Sequence, residues 1–156
     1  MADLKLTITE NLTLNGAEQG GTYQKTISDI TAFSKRIVSI AADDDATVLV
    51  FKSTTASADG ALDLQNVKYI RITNLDSTNS VNMSLQIDSD EDNSAANESC
   101  TILLEAGMTF MMGTPDEGIH VNDDAATIIT ALTDLESIII DPGSNTGSVE
   151  VFTAST

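Results

Sequence analysis

The chain has 156 residues, enough for one domain with its own core, so it needs no disulfide or structural metal to fold. Its net charge of −17 disfavours nucleic-acid binding, because a field of this sign repels phosphate. The single cysteine excludes an internal disulfide, no signal-peptide pattern opens the chain, and no apolar run approaches the ~20 residues of a membrane span. We expect a protein folded in a reducing cytoplasm, with neither a membrane nor a nucleic acid as partner.

The charge is spread unevenly along the chain. All seven bases lie in residues 1–71 together with nine acids, whereas residues 72–156 contain fifteen acids and no base. We interpret the acidity as a solubility device for saline surroundings, where salt screens self-repulsion. A cationic partner surface is the alternative, and the sequence leaves both open.

The first third of the chain predicts short strands. Apolar residues alternate over 4–8, a kink follows at 10–11, and a second short strand ends in the Asn-Gly turn at 15–16. β-Branched residues favour two strands around 29–34 over a short helix, and the apolar run at 47–52 predicts a strand buried on both sides.

Three hairpins are predicted in the rest of the chain. The clearest covers residues 67–88, where two alternating runs flank the turn-forming residues 74–80, and we place it at the centre of the sheet. A second is predicted over 101–112 and a third, with a Pro-Gly turn, over 135–153. Polar composition predicts loops at 53–60, 88–99 and 113–124, while 125–135 is ambiguous.

These elements amount to eight to ten short strands with turn signals about every ten residues and almost no helix. The sequence therefore predicts an all-β protein in which residues 1–156 form a single-domain antiparallel β-sandwich. A jelly roll is the predicted topology.

Nothing in the sequence is typical of an active site. His120 is predicted to be a loop histidine rather than a general base, and Cys100 a small buried side chain rather than a nucleophile. There is no phosphate-binding glycine loop and no nucleophilic serine elbow. We predict that the protein is not an enzyme; a hydrolase that uses His120 is the weakest alternative.

The sharpest local motif imitates a calcium loop. Its candidate ligands are Asp88, Asp90 and Asp92. It departs from the EF-hand pattern because Asn93 replaces the turn glycine and Ser99 replaces the bidentate glutamate. We favour a solvated acidic loop, with weak calcium binding as the alternative, and we interpret residues 43–45 in the same way. No metal and no cofactor are predicted.

A methionine-rich cluster contains the one predicted interface residue. Alternation places Met108, Phe110 and Met112 on one face, which we assign to the core. Met111 then points the other way, where it is a candidate contact with a partner subunit.

A resemblance supplies a functional hypothesis. The segments that carry it are LTITENLTLNG, KRIVSI, TVLVF, YIRITNLDSTNSVNMSLQI, LLEAGMTF and SIIIDPGSNTGSVEVF. In style and order they resemble small virion structural proteins of tailed, especially marine, bacteriophages. The resemblance implies a capsid decoration or cement protein on the capsid surface, which folds in the host cytoplasm and stabilises the assembled lattice. Its implied partners are the major capsid protein and copies of itself, as a homotrimer or another symmetric oligomer. The alternative is a receptor- or glycan-binding module of a head fibre, tail or cell surface, assisted by calcium.

Calcium is expected to leave the melting temperature unchanged, because the loop of Asp88, Asp90 and Asp92 lacks the demanding features of a calcium site. Thermal unfolding with and without millimolar calcium checks this. A rise that Asp90→Ala abolishes would contradict it and favour the glycan-binding alternative.

Overall fold

The computed structural model describes residues 1–52, 60–87, 98–113, 121 and 135–156. These residues contain thirteen strands and no helix, so none of them belongs to a helix long and apolar enough to cross a membrane. The strands are β1 (Ala2–Glu10), β2 (Thr13–Leu14), β3 (Ala17–Glu18), β4 (Gly21–Ile30), β5 (Ala32–Ile40), β6 (Ala46–Lys52), β7 (Leu62–Asp63), β8 (Val67–Asn74), β9 (Val81–Ile87), β10 (Glu98–Leu104), β11 (Thr109–Met112), β12 (Leu135–Asp141) and β13 (Gly147–Ser155).

Eight strands form two antiparallel sheets that pack face to face. One sheet has the order β11-β8-β13-β5, and the other has the order β10-β9-β12-β6, with the short β7 added in parallel beside β6. Among these eight, β9 and β10 are the pair that is consecutive in the chain and bonded within one sheet. This arrangement is the jelly roll, so the predicted sandwich and its topology are confirmed.

The three predicted hairpins are wrong. β8 pairs with β11 and β13, whereas β9 pairs with β10 and β12, so residues 67–87 cross from one sheet to the other. The same crossing separates β10 from β11 and β12 from β13. Alternation and turn residues specify that the chain reverses direction. They do not specify whether the second strand stays in its sheet, because the facing sheet offers an equally apolar inner face.

The core lies between the two sheets. Alternate residues of each strand point inward, as at Val81, Met83 and Leu85 of β9. The largest fully buried side chains are Phe51, Ile27, Ile70, Ile72, Met83, Leu135, Ile138 and Ile140. All but Ile27 belong to the continuous cluster between the sheets. Phe51 of β6 is one of them, so this strand contributes to the core as its apolar run predicts.

Two predictions of burial are wrong. Cys100 is exposed because β10 is an edge strand that pairs with β9 alone among the described strands. Met108 is 56% exposed, since it lies in the turn before β11 next to Gly107, whose φ is +73°. Phe110 and Met112 do pack against the core, as the alternation predicts.

An N-terminal arm precedes the sandwich. β1 and β4 form a two-stranded antiparallel ribbon, and β2 and β3 pair at its tip. Asn15 and Gly16 both have positive φ, the geometry of the tight hairpin turn that Asn-Gly favours. We call residues 2–30 the arm. The predicted break between strands falls at Thr31, directly before β5.

Asn74 is a buried hub at the end of the sandwich where β8 finishes. Its Nδ2 donates to the carbonyls of Asn79 (2.9 Å), Leu104 (3.1 Å) and Glu105 (3.2 Å), and its Oδ1 accepts from the Asp76 amide (3.0 Å). One fully buried side chain therefore joins the β8–β9 connection to the β10–β11 connection, and each of these spans the two sheets.

Replacing Asn74 by Asp is expected to destabilise the fold by about 3 kcal/mol, because a carboxylate oxygen would face three carbonyls that have lost their donor. Denaturant unfolding measures the loss. Asn82→Asp, at an exposed position of β9, is the matched control and should cost far less. Equal losses in the two variants would contradict the role assigned to Asn74.

Candidate docking surface

The arm is amphipathic. Its register places Leu4 opposite Ile27, Leu6 opposite Lys25, and Ile8 opposite Tyr23, so from residue 4 to residue 8 one face is apolar apart from Lys25. The opposite face is polar and carries Lys5, Thr7, Thr9, Thr22, Gln24 and Thr26. A ribbon with one apolar face needs something to cover that face.

The base of the arm is covered by the outer face of the four-stranded sheet. Ile27 and Ile30 form a buried cluster with Tyr69 and Ala154 of that sheet. Leu4, Leu6 and Phe152 pack around this cluster. Burial raises the pKa of the Tyr69 hydroxyl, with a smaller opposing effect from Arg71. The sandwich thus has a second, smaller apolar cluster outside its core.

Beyond its base the arm is uncovered. Every residue from 7 to 26 is exposed apart from the half-buried Gly20. Ile8 and Tyr23, on the face that is buried further down, are 41% and 61% exposed. The apolar stripe therefore runs on past the sheet that covers its beginning.

The tip of the arm is braced internally. The Glu18 carboxylate accepts hydrogen bonds from the amides of Leu12 (3.0 Å) and Gly20 (2.9 Å), and the Gln19 amide donates to the Leu12 carbonyl (2.7 Å). The two hydrogen bonds to the carboxylate, that from Gly20 first and then that from Leu12, lower the pKa of Glu18 below its ordinary value. The exposed tip consequently has a defined shape.

A cleft of about 430 Å³ lies between the arm and the sheet. Its lining is Lys5, Leu6, Thr7, Ile8, Tyr69, Arg71, Met111, Met112 and Gly113. Met111, the residue singled out from the sequence, is 46% exposed on the outer face of β11. The structure thus brings Met111 next to the arm, and its contact with a partner stays a prediction.

An aromatic row crosses the outer face of the sheet. The Phe152 ring lies 6.0 Å from that of Tyr69 and 6.4 Å from that of Phe33, measured between centroids. The row begins beneath the arm and ends in the open, because Tyr69 is buried whereas Phe33 is 73% exposed. Ile37, on the same face of β5, is exposed as well.

Charged side chains frame this row. Glu150 binds Lys35 (3.1 Å) and Arg71, and Arg71 also donates to the Thr73 hydroxyl (2.6 Å). The hydrogen bond from Arg71, followed by that from Lys35, lowers the pKa of Glu150. The Arg71 guanidinium lies 5.9 Å from the centroid of the Phe152 ring, which adds a cation–π contact.

We call the arm together with this outer face the docking surface. Its exposed residues Tyr23, Phe33 and Ile37 were not predicted from the sequence. A signal was present in β5, where Phe33 and Ile37 lie on one face while Val38 and Ile40 lie on the other. A strand with apolar residues on both faces, at the edge of a sheet, has one face to offer to a partner.

Most of the other sequence candidates fall in parts of the chain that the structure does not describe. Asp88, Asp90, Asp92 and His120 lie outside the described residues. Residues 43–45 line an open depression of about 500 Å³ together with Asp141. Within the described ranges, no three His, Cys, Asp or Glu side chains are grouped so that they could hold a metal ion.

Comparisons with known proteins add little. No protein-family model and no curated protein matches the chain. Two solved structures match the chain at low similarity. One comes from the disulfide-linked pili of Bacillus endospore appendages, with 14% identity, a TM-score of 0.42, and coverage of 83% of this chain and 92% of that chain. The other is a family 11 carbohydrate-binding module from Clostridium thermocellum, in complex with a β-1,3-1,4-mixed-linked tetrasaccharide, with 11% identity, a TM-score of 0.30, and coverage of 98% and 86%. Both TM-scores are too low to indicate what this chain does.

The ion pairs of Glu150 predict a pH dependence. Because the pKa of Glu150 is lowered from its ordinary 4.5, its stabilising effect is present above about pH 4.5 and is lost as the pH falls below that value. Glu150→Gln should therefore melt at a lower temperature than the wild type at neutral pH, and the difference should shrink in acid. Glu105→Gln, at an exposed turn, is the control. A difference independent of pH would contradict the ion-pair explanation.

Proposed function

We propose that this chain is a non-enzymatic structural subunit of a tailed-bacteriophage particle, a capsid decoration or cement protein that attaches to the lattice through the docking surface. The observation that carries the proposal is the exposed apolar character of this surface, on a sheet where Glu150 is paired with Lys35 and Arg71. The resemblance of the strand order to small virion proteins is the reason for proposing a bacteriophage particle.

The two outer faces of the sandwich differ in a way that supports attachment by one of them. The five-stranded sheet presents a polar ladder, in which Gln86 bonds Ser84 (2.8 Å) and Ser84 bonds Thr101 (3.2 Å). Leu103 is the one large apolar side chain exposed on that face among the residues described. Apolar side chains grouped on one face are typical of a protein-binding surface, whereas single ones are ordinary.

The distribution of acids supports the same orientation. The turns at the end of the sandwich where β5, β8, β10 and β12 finish are acidic and contain no lysine or arginine in the described chain. Their acids are Asp43, Asp44, Asp45, Asp76, Glu105 and Asp141. An acidic end turned to solvent would keep a decorated particle soluble and away from other particles of the same charge.

The mechanism would be mass action. A subunit that binds the assembled lattice and not its free components stabilises the lattice by RT ln(1 + [L]/Kd) at each site. Repetition over the symmetric sites of a capsid makes a modest affinity per site sufficient. No catalytic residue is required.

The number of copies per particle tests the proposal. Particles are purified on a density gradient, and quantitative mass spectrometry gives the ratio of this chain to the major capsid protein. We expect equal numbers or a simple fraction, as lattice symmetry demands. A handful of copies would refute decoration and indicate the neck, tail or fibres, and absence from particles would refute the virion role.

Rebinding of the purified chain to particles that lack it tests the surface. Met111→Ser should weaken binding by about tenfold, because it removes an apolar anchor beside the cleft. Leu103→Ser, on the other outer face, is the matched control and should bind as the wild type does. Equal binding by the two variants would contradict attachment through the docking surface.

A further inference from the structure

The contact between the arm and the sheet within one chain leaves apolar residues exposed on both the arm and the sheet. On the arm, Leu4 and Ile27 are covered, whereas Ile8 and Tyr23 on the same face are open. On the sheet, Tyr69 is covered, whereas Phe33 in the same aromatic row is open. Each chain therefore has an exposed outer part of its arm. It also has an exposed part of the aromatic row, which resembles the part that its own arm covers.

We propose that the free part of the arm seats on the Phe33 and Ile37 side of the docking surface of a second copy of this chain. This contact deepens the proposed function, and it rests on the premise made there that the docking surface serves assembly. The intermolecular contact repeats the chemistry of the intramolecular one, in which aliphatic side chains of a ribbon pack on the aromatic row of a sheet.

The low stability expected of an isolated ribbon supports the view that the exposed part of the arm packs against a partner. A two-stranded ribbon is marginally stable in water unless its apolar face is packed against something. The braced tip holds its shape through backbone hydrogen bonds and the Glu18 carboxylate, yet it buries almost no apolar surface of its own. Seating Ile8 and Tyr23 on a second copy supplies the missing burial without refolding either partner.

The local charges of the arm and the sheet support a second copy of this chain as the partner on which the arm packs. Copies with a net charge of −17 repel one another, so they can meet only where their local charges are balanced. Lys5 and Lys25 partly offset the acids of the arm, and Glu150 is paired with Lys35 and Arg71 on the sheet. The acidic turns lie on connections between strand ends and not on this surface. Within the described part of the chain, the arm and the sheet are thus surfaces through which two copies can approach with little repulsion.

The geometry of the contact constrains the assembly. Because the arm and the acceptor side are different patches, each copy can give its arm to one neighbour and receive an arm from another. Such a head-to-tail contact closes into a ring if the rotation between copies permits and otherwise extends. A closed ring is compatible with the symmetric oligomer that the virion resemblance implies.

Sedimentation equilibrium of the full chain tests the contact. Tyr23→Ser removes the arm anchor and Phe33→Ser removes the acceptor anchor, and each should raise the dissociation constant for self-association by about tenfold or more. Gln24→Ser, on the polar face of the same strand, and Leu103→Ser, on the other sheet, are the matched controls and should associate as the wild type does. All four side chains are exposed, so circular dichroism and melting temperature should stay unchanged and exclude misfolding.

Mixing the two defective variants gives a sharper readout. Tyr23→Ser retains a working acceptor and Phe33→Ser retains a working arm, so the 1:1 mixture should form heterodimers that neither variant forms alone. Failure of the mixture to associate would refute the arm-to-acceptor arrangement. A wild type that stays monomeric at submillimolar concentration, or variants that associate like the wild type, would refute the contact altogether.

The two proposals can fail separately. A monomeric chain found at capsid stoichiometry would remove self-docking and leave the virion role standing. Arm-dependent association of a chain absent from particles would remove the virion role and leave the contact standing.

Discussion

The arm depends on the packing of Ile27 and Ile30 against Tyr69 and Ala154. Without this cluster a two-stranded ribbon would have no fixed direction, because its own hydrogen bonds do not tie it to the sandwich. With it, the ribbon leaves the sheet at one place and opens the cleft beside Met111. The cluster lies outside the main core, so the residues that position the arm are not those that pack between the two sheets.

The same outer face is also organised electrostatically. Glu150 holds Lys35 and Arg71, and Arg71 lies over the ring of Phe152, so the polar and aromatic parts of the surface are positioned together. Elsewhere the described chain carries acids in its turns with little compensation. The described part of the molecule thus separates a partly apolar surface with nearly balanced charges from an acidic end, and this separation is the basis of the orientation proposed for attachment.

Much of the architecture could be predicted from the sequence. Period-2 alternation locates the strands, the Asn-Gly pair fixes the turn of the arm, and the number of strands indicates the sandwich. The pairing of strands could not be predicted, because the residues between β8 and β9 suit a hairpin and a crossing between sheets equally well. Jelly-roll topology itself requires such crossings, so the predicted hairpins and the predicted topology were in conflict.

The surface was less predictable than the fold. Alternation correctly separated Met111 from Phe110 and Met112, since neighbouring residues of a strand face opposite ways. It failed at Met108 because a turn has no such period, and at Cys100 because burial also depends on a strand's place in its sheet. The apolar residues on both faces of β5 indicate that one of its faces is exposed, but local sequence does not encode how far the arm extends over that face, and the degree of exposure of Phe33 depends on this distance.

The pairing of β5 with β13 has a consequence for how the chain folds. Residues 32–40 bond to residues 147–155, so this edge of the sandwich forms only after the intervening residues 41–146 have been synthesised. The arm is local by comparison, since β1 pairs with β4 within the first thirty residues. The ribbon is therefore synthesised before the surface on which it packs is complete, because Phe152 and Ala154 belong to β13. The synthesis of β13 thus determines when the arm first acquires its direction.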